Sequence, residues 1–141
     1  MSYMFGECSS LTHLDLSNFN TAKVTDMERM FISCSNLKTL DLSGFNTANV
    51  ERMSEIFHKC SNLTTIYASS EWNAENVKYD SDMFTACFAL IGGAGTAYDN
   101  NHTEKEYAHI DGGVDNPGYF TDIADKDKKE PEPYAVLTDN D

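Results

Sequence analysis

The stretch Cys34-Ser-Asn-Leu-Lys-Thr-Leu-Asp-Leu-Ser-Gly-Phe-Asn-Thr47 decides the fold, because the chain writes it more than once. Cys8-Ser-Ser-Leu-Thr-His-Leu-Asp-Leu-Ser-Asn-Phe-Asn-Thr21 precedes it, and Cys60-Ser-Asn-Leu-Thr-Thr-Ile-Tyr-Ala-Ser69 follows. The cysteines Cys8, Cys34, Cys60 and Cys87 are separated by 26, 26 and 27 residues. Aligning on them brings Leu11, Leu37, Leu63 and Leu90 into one column, and Leu14, Leu40 and Ile66 into the next. Phe19, Phe45 and Trp72 make an aromatic column, and Met30-Phe31, Ile56-Phe57 and Met83-Phe84 precede the next cysteine. A fixed period of this length marks a repeat architecture. The extra residue of the last step is expected between Ser69 and Trp72.

Each unit reads as strand, turn, helix. Leu37 to Ser43 alternates apolar and polar side chains, as a half-buried strand does, and Leu11 to Ser17 and Leu63 to Ser69 repeat it. Val24, Met27, Met30 and Phe31 fall on one face of a helix, with Thr25 and Glu28 at capping-box spacing. Asp80 interrupts the third copy, where the pattern places Met27 and Met53, so that helix is expected to be shorter or displaced. One such unit cannot bury its apolar face alone. Stacked copies can, at about 0.8 kcal/mol per buried CH₂. The expected fold class is therefore α/β: a leucine-rich-repeat solenoid, parallel strands on one face and helices on the other, closed by a C-terminal cap.

Residues 1–91 are expected to carry about three and a half units, starting inside one. Residues 92–123 form the cap and 124–141 a disordered tail or linker. In the cap, 96–98 and 107–110 are strand candidates, Pro117-Gly118 suits a type II turn, and Tyr119 and Phe120 are expected to fold back on the last repeat and close its open edge.

The 141 residues fit one domain, and their net charge of −13 repels phosphate backbones and anionic membrane surfaces. Nucleic acid is therefore not an expected partner. No apolar run has the length of a membrane span, and no export signal opens the chain.

The motif from Cys34 to Thr47, with Val24-Thr-Asp-Met-Glu-Arg-Met-Phe31 and Ile110-Asp-Gly-Gly-Val-Asp-Asn-Pro-Gly-Tyr-Phe-Thr121, resembles the BspA-type leucine-rich repeat of bacterial cell-surface proteins. The resemblance covers Met1 to about Asp122. It implies a secreted or surface-attached, adhesin-like module with host or extracellular-matrix proteins as ligands, an export signal upstream, and no catalytic residues.

Candidate chemistry is sparse. Cysteines one repeat apart line up along the stack rather than converging as zinc ligands do. Burial as free thiols is the first reading, disulfides the second and metal the last. His13, His58, His102 and His109 share no spacing with a nucleophile and an acid, and Asp80, Asp82, Asp99, Asp111 and Asp115 lack calcium-loop spacing. No cofactor, metal or enzymatic activity is expected. Asn62-Leu-Thr64 and Asn101-His-Thr103 are glycosylation sequons in form only. The expected binding surface is the strand face turned away from the core, in three rows: His13, Thr39 and Thr65; Asp15, Asp41 and Tyr67; Ser17, Ser43 and Ser69. A non-catalytic protein-interaction module follows, the alternative being a stalk or spacer that presents another domain. Self-association through an uncapped N-terminal end is a further expectation, because Met1, Met4 and Phe5 would leave apolar surface exposed.

Overall fold

The computed structural model describes residues 1–127. Each unit of 26 or 27 residues closes one rung of chain that lies on the next, and the apolar columns meet inside. Leu37, Leu40, Leu42, Phe45, Val50, Met53, Ile56, Phe57 and Cys60 of the second rung are all buried, as are Leu63, Ile66, Met83, Phe84 and Cys87 of the third. Phe5, Phe31, Phe57 and Phe84 stack one above another, their ring centroids 5.7, 5.8 and 5.4 Å apart. Each such pair is worth about 0.5–1.5 kcal/mol beyond the area it buries.

Three short strands line one side: β1 (Thr39–Asp41), β2 (Thr65–Ala68) and β3 (Phe120–Asp122). They form one parallel sheet in the order β1-β2-β3, with Leu40 opposite Ile66 and Ile66 opposite Phe120. The strands are shorter than the alternation predicts, and Leu11 to Ser17 of the first rung does not form one, so Leu14 lies outside the sheet. The added residue of the third unit falls between Tyr67, which pairs with Asp41 at an offset of 26, and Asn73, which repeats Asn46 at 27.

The helical half is where the expected α/β solenoid fails. Among the described residues there is no α-helix, only short 3₁₀ turns at Lys105–Tyr107 and Ile123–Asp125. The amides of Met27, Arg29, Phe31 and Ser33 do not return to the carbonyls four residues back. They cross to Arg52, Ser54, Ile56 and His58 of the next rung, at 2.7–3.0 Å. Met53, Glu55, Phe57 and Lys59 repeat the pattern onto Tyr79, Ser81, Met83 and Thr85. Between these cross-links the chain makes successive tight turns, Met30 N–H to Met27 O and Cys34 N–H to Phe31 O. Two residues per rung turn left-handed: Arg29 and Ser33 (φ 55° and 60°), then Glu55 and Lys59 (58° and 64°), then Asp82 and Ala86 (54° and 67°). An L-residue in that conformation cannot continue a right-handed helix. Successive turns with i→i+3 bonds place side chains at intervals of three on one side, as a helix does, so Val24, Met27 and Met30 satisfy either structure. The Thr25–Glu28 capping box is absent as well. Asp26 Oδ1 instead accepts the Glu28 N–H at 2.9 Å.

Polar side chains finish the rung-to-rung bonding. Buried Thr47 donates its hydroxyl to Asn73 O at 2.9 Å and accepts the Asn73 N–H, as Thr21 does with Asn46. Asn36 and Asn62 donate their side-chain amides to Ser9 O and Ser35 O of the preceding rung. The thiols do the same: Cys34, Cys60 and Cys87 Sγ lie 3.0–3.1 Å from the carbonyl oxygens of Phe5, Phe31 and Phe57. All four cysteines are free.

The chain after the third rung closes the stack. Asp80, which interrupts the methionine column, accepts the Lys105 N–H at 3.3 Å, while Thr103 O takes the Phe84 amide. Tyr119 and Phe120 are fully buried, and Phe120 meets Trp72 edge-on at 5.0 Å. The expected strands at 96–98 and 107–110 reduce to the isolated bridges Ile91–Ala97 and Ile110–Phe120. The expected type II turn is also absent: Tyr119 donates its N–H to Tyr107 O, and Gly118 is not left-handed. Glycine is required there by close approach, because a Cβ on Gly118 would run into His109 O. The expected disordered tail lies from 128 onward outside the described residues.

Candidate functional site

The strand face that turns away from the core carries a hollow of about 580 Å³ across the first two rungs. Six of the nine predicted positions line it: His13, Asp15, Ser17, Thr39, Asp41 and Ser43. Thr65, Tyr67 and Ser69 lie one rung further on, with Thr65 and Tyr67 opposite Thr39 and Asp41 across the sheet. They do not line the hollow. The groove is there because Leu16 of the first rung and Leu40 and Leu42 of the second turn inward and leave their neighbours facing out.

Asp15 Oδ1 accepts the Ser17 N–H at 3.0 Å, and Asp41 Oδ1 accepts the Ser43 N–H at 2.9 Å. Each therefore closes a local turn with Oδ1, and both side chains line the groove. The Ser17 hydrogen bonds hold the Asp15 carboxyl below the ordinary value. Burial pushes the Asp41 carboxyl up, and bonds from Ser43 and Lys126 outweigh it, so it too sits low. Both are anions at neutral pH.

Lys126 was not singled out by the sequence, where it reads as part of a solvated tail. Its Nζ reaches Asp41 Oδ2 at 3.3 Å and lies 5.3 Å from the centre of the Tyr67 ring. Composition gives no hint of this, because the contact joins residues 85 positions apart.

The other titratable candidates do not assemble into a reaction centre. Cys60 Sγ donates to Phe31 O rather than to His58, and burial pushes its thiol well up. His58 Nδ1 is buried without a hydrogen bond, 3.8 Å from Glu55 Oε2. His102 stacks on Tyr107 and His109 Nδ1 contacts Ile110 O at 2.8 Å. Among the described residues no group of three His, Cys, Asp or Glu side chains is placed to hold a metal ion, and no helix is long and apolar enough to cross a membrane.

Asp111 has a different role from that of a solvated acid. Its Oδ1 accepts Thr96 Oγ1–H and the amides of Gly113 and Gly118, and its Oδ2 accepts the amides of Ala94 and Thr96. Burial pushes the carboxyl up, but these donors prevail and hold it below the ordinary value. It ties three loops of the cap together, which sequence could not show, since the donors come from separated segments.

No curated protein and no solved structure matches the chain. The family model that matches spans residues 1–109 and is described as "Mycoplasma protein of unknown function, DUF285". It is not the BspA-type leucine-rich repeat that the motif at Cys34 resembles, and the matrix-protein ligands implied by that resemblance lose their support. With more than three quarters of its length matched, the chain belongs to the DUF285 family.

Proposed function

We propose that this chain is a non-catalytic protein-binding module that engages its partner through the groove on the outward strand face. The carrying observation is the groove's construction: equivalent positions of successive rungs, His13 with Thr39, Asp15 with Asp41 and Ser17 with Ser43, line one hollow. Rows of polar groups at rung spacing suit an extended segment, and repeat proteins use such faces for recognition. The dispersed histidines and the thiols engaged with carbonyl oxygens support a role without bond chemistry. Display outside the cell belongs to the same proposal. Its check is protease treatment of intact cells, which removes a displayed chain and spares an internal one.

The test of the groove is steric. Thr39 is exposed on β1 and lines the hollow, so Thr39→Trp fills it without touching the core. Immobilised wild-type chain and this variant are presented with the same host-cell extract, and captured proteins are quantified. The expected result is a defined protein lost with the variant. Equal capture by both chains would remove the groove from the account. Self-association through the first rung, where Tyr3 and Met4 are 47% and 46% exposed, is a separate part of the proposal. Sedimentation showing monomer alone at high concentration would count against it.

A further inference from the structure

Two features of the groove point to the chemistry of its occupant. The first is a contact the chain makes with itself: the Lys126 ammonium sits between one oxygen of Asp41, at 3.3 Å, and the Tyr67 ring, 5.3 Å from its centre. A fixed carboxylate beside an aromatic face is an arrangement that recognises ammonium groups, joining an ion pair to a cation–π contact. The second is repetition. The turn that orients Asp41 recurs one rung earlier, where Asp15 Oδ1 accepts the Ser17 N–H. Asp15 lines the same hollow. One carboxylate of the groove is thus held by the chain's own lysine, and a second, Asp15 of the preceding rung, pairs with no cation among the described residues. The net charge of −13 draws a basic partner toward both.

We propose that the groove binds a lysine-bearing segment of a partner protein, and that Lys126 is an internal occupant which the partner displaces from Asp41 and Tyr67. This rests on the groove being the binding surface. Lysine is the occupant the groove points to, because the residue already seated between Asp41 and the Tyr67 ring is a lysine ammonium. The occupying contact is weak: an exposed ion pair and a cation–π contact at an open site amount to a few-fold competition.

The probe is a fluorescein-labelled peptide, Gly-Lys-Ala-Lys-Gly, with a norleucine version as control, titrated against the full chain by anisotropy. The lysine peptide is expected to bind more tightly than the control and to weaken with salt. Lys126→Ala should tighten binding about fivefold by freeing the Asp41 seat. Lys78→Ala makes the same charge change away from the groove, at a side chain paired with Glu51, and should leave binding unchanged. Asp41→Asn and Asp15→Asn keep an oxygen for the serine amide, so the turns persist, and each should weaken binding at least fivefold. Equal binding of the lysine and norleucine peptides, or no response to Lys126→Ala beyond that of Lys78→Ala, overturns the proposal. If Thr39→Trp abolishes capture of a protein partner while the two asparagine variants leave it intact, the groove stands as the binding surface and the lysine assignment alone falls.

Discussion

Replacing Glu55 by glycine and, separately, by alanine tests the rung architecture through a difference of sign. Glu55 sits at φ 58° and donates its N–H to Ser81 of the next rung at 2.9 Å. Its carboxylate pairs with Arg29 Nε at 2.7 Å. Both substitutions remove that pair, so its contribution, about 0.3–1 kcal/mol at a part-exposed site, cancels in the comparison. What remains is backbone. A residue with a Cβ in the left-handed region costs about 1–2 kcal/mol, which glycine avoids. Glycine's extra freedom in the unfolded chain costs about 0.5–1 kcal/mol. The glycine variant is therefore expected to be the more stable of the two by about 0.5–1 kcal/mol. A helix through the same residues demands the reverse, alanine ahead by about 1 kcal/mol. Urea unfolding of both variants measures the difference directly. Alanine ahead by that margin would refute the turn structure, and Arg29, at φ 55°, provides an independent repeat.

The same structure makes three further predictions. Asp111→Asn keeps one oxygen but leaves the two amides on the other, such as those of Ala94 and Thr96, short of an acceptor and is expected to cost about 2–4 kcal/mol, read from the fluorescence of Trp72, which donates to Ala108 O and packs on Phe120. Because the Asp111 carboxyl lies lower in the folded than in the unfolded chain, its contribution is present in full above the ordinary value of 3.8 and is lost as pH falls through the folded value. Acid should therefore release the cap in wild type, and a Trp72 signal flat down to strongly acidic pH would count against it. Alkylation of native protein should modify Cys8 first and spare Cys60 and Cys87, whose thiols burial pushes up, that of Cys87 to about 12; rapid labelling of all four would contradict the packing. Thr47→Val strands both the N–H and the C=O of Asn73 and should cost about 2–3 kcal/mol, whereas Thr47→Ser retains both bonds and should cost less than 1 kcal/mol.

How much of this was legible depended on which interactions repeat. The core was: Leu37 and Leu63, Leu40 and Ile66, and Phe31, Phe57 and Phe84 declare themselves by period, and they meet where the period places them. The half of each rung read as a helix was not. Intervals of three fit a helix and a run of tight turns equally, and the residues that choose between them, Arg29, Glu55 and Asp82, are not glycines. Nothing in their identity announces a left-handed backbone, because the choice is made by hydrogen bonds to a neighbouring rung. Alternation also overstated the strands, since Leu14 has the pattern of Leu40 and lies outside the sheet. Of the candidate site, the outward rows were visible from alternation. The Lys126 contact was not, because it depends on where the cap returns the chain, and the cap has no repeat to read.

The most direct test of the stacked-rung structure is a hydrogen-bond scalar coupling measurement by NMR on the isotope-labelled chain. Couplings are expected from the amide nitrogens of Phe31 and Phe57 to the carbonyl carbons of Ile56 and Met83, whose oxygens accept those bonds at 2.9 and 3.0 Å. Couplings from the same amides to carbonyls four residues earlier, with helical carbon shifts across 24–34, would contradict it.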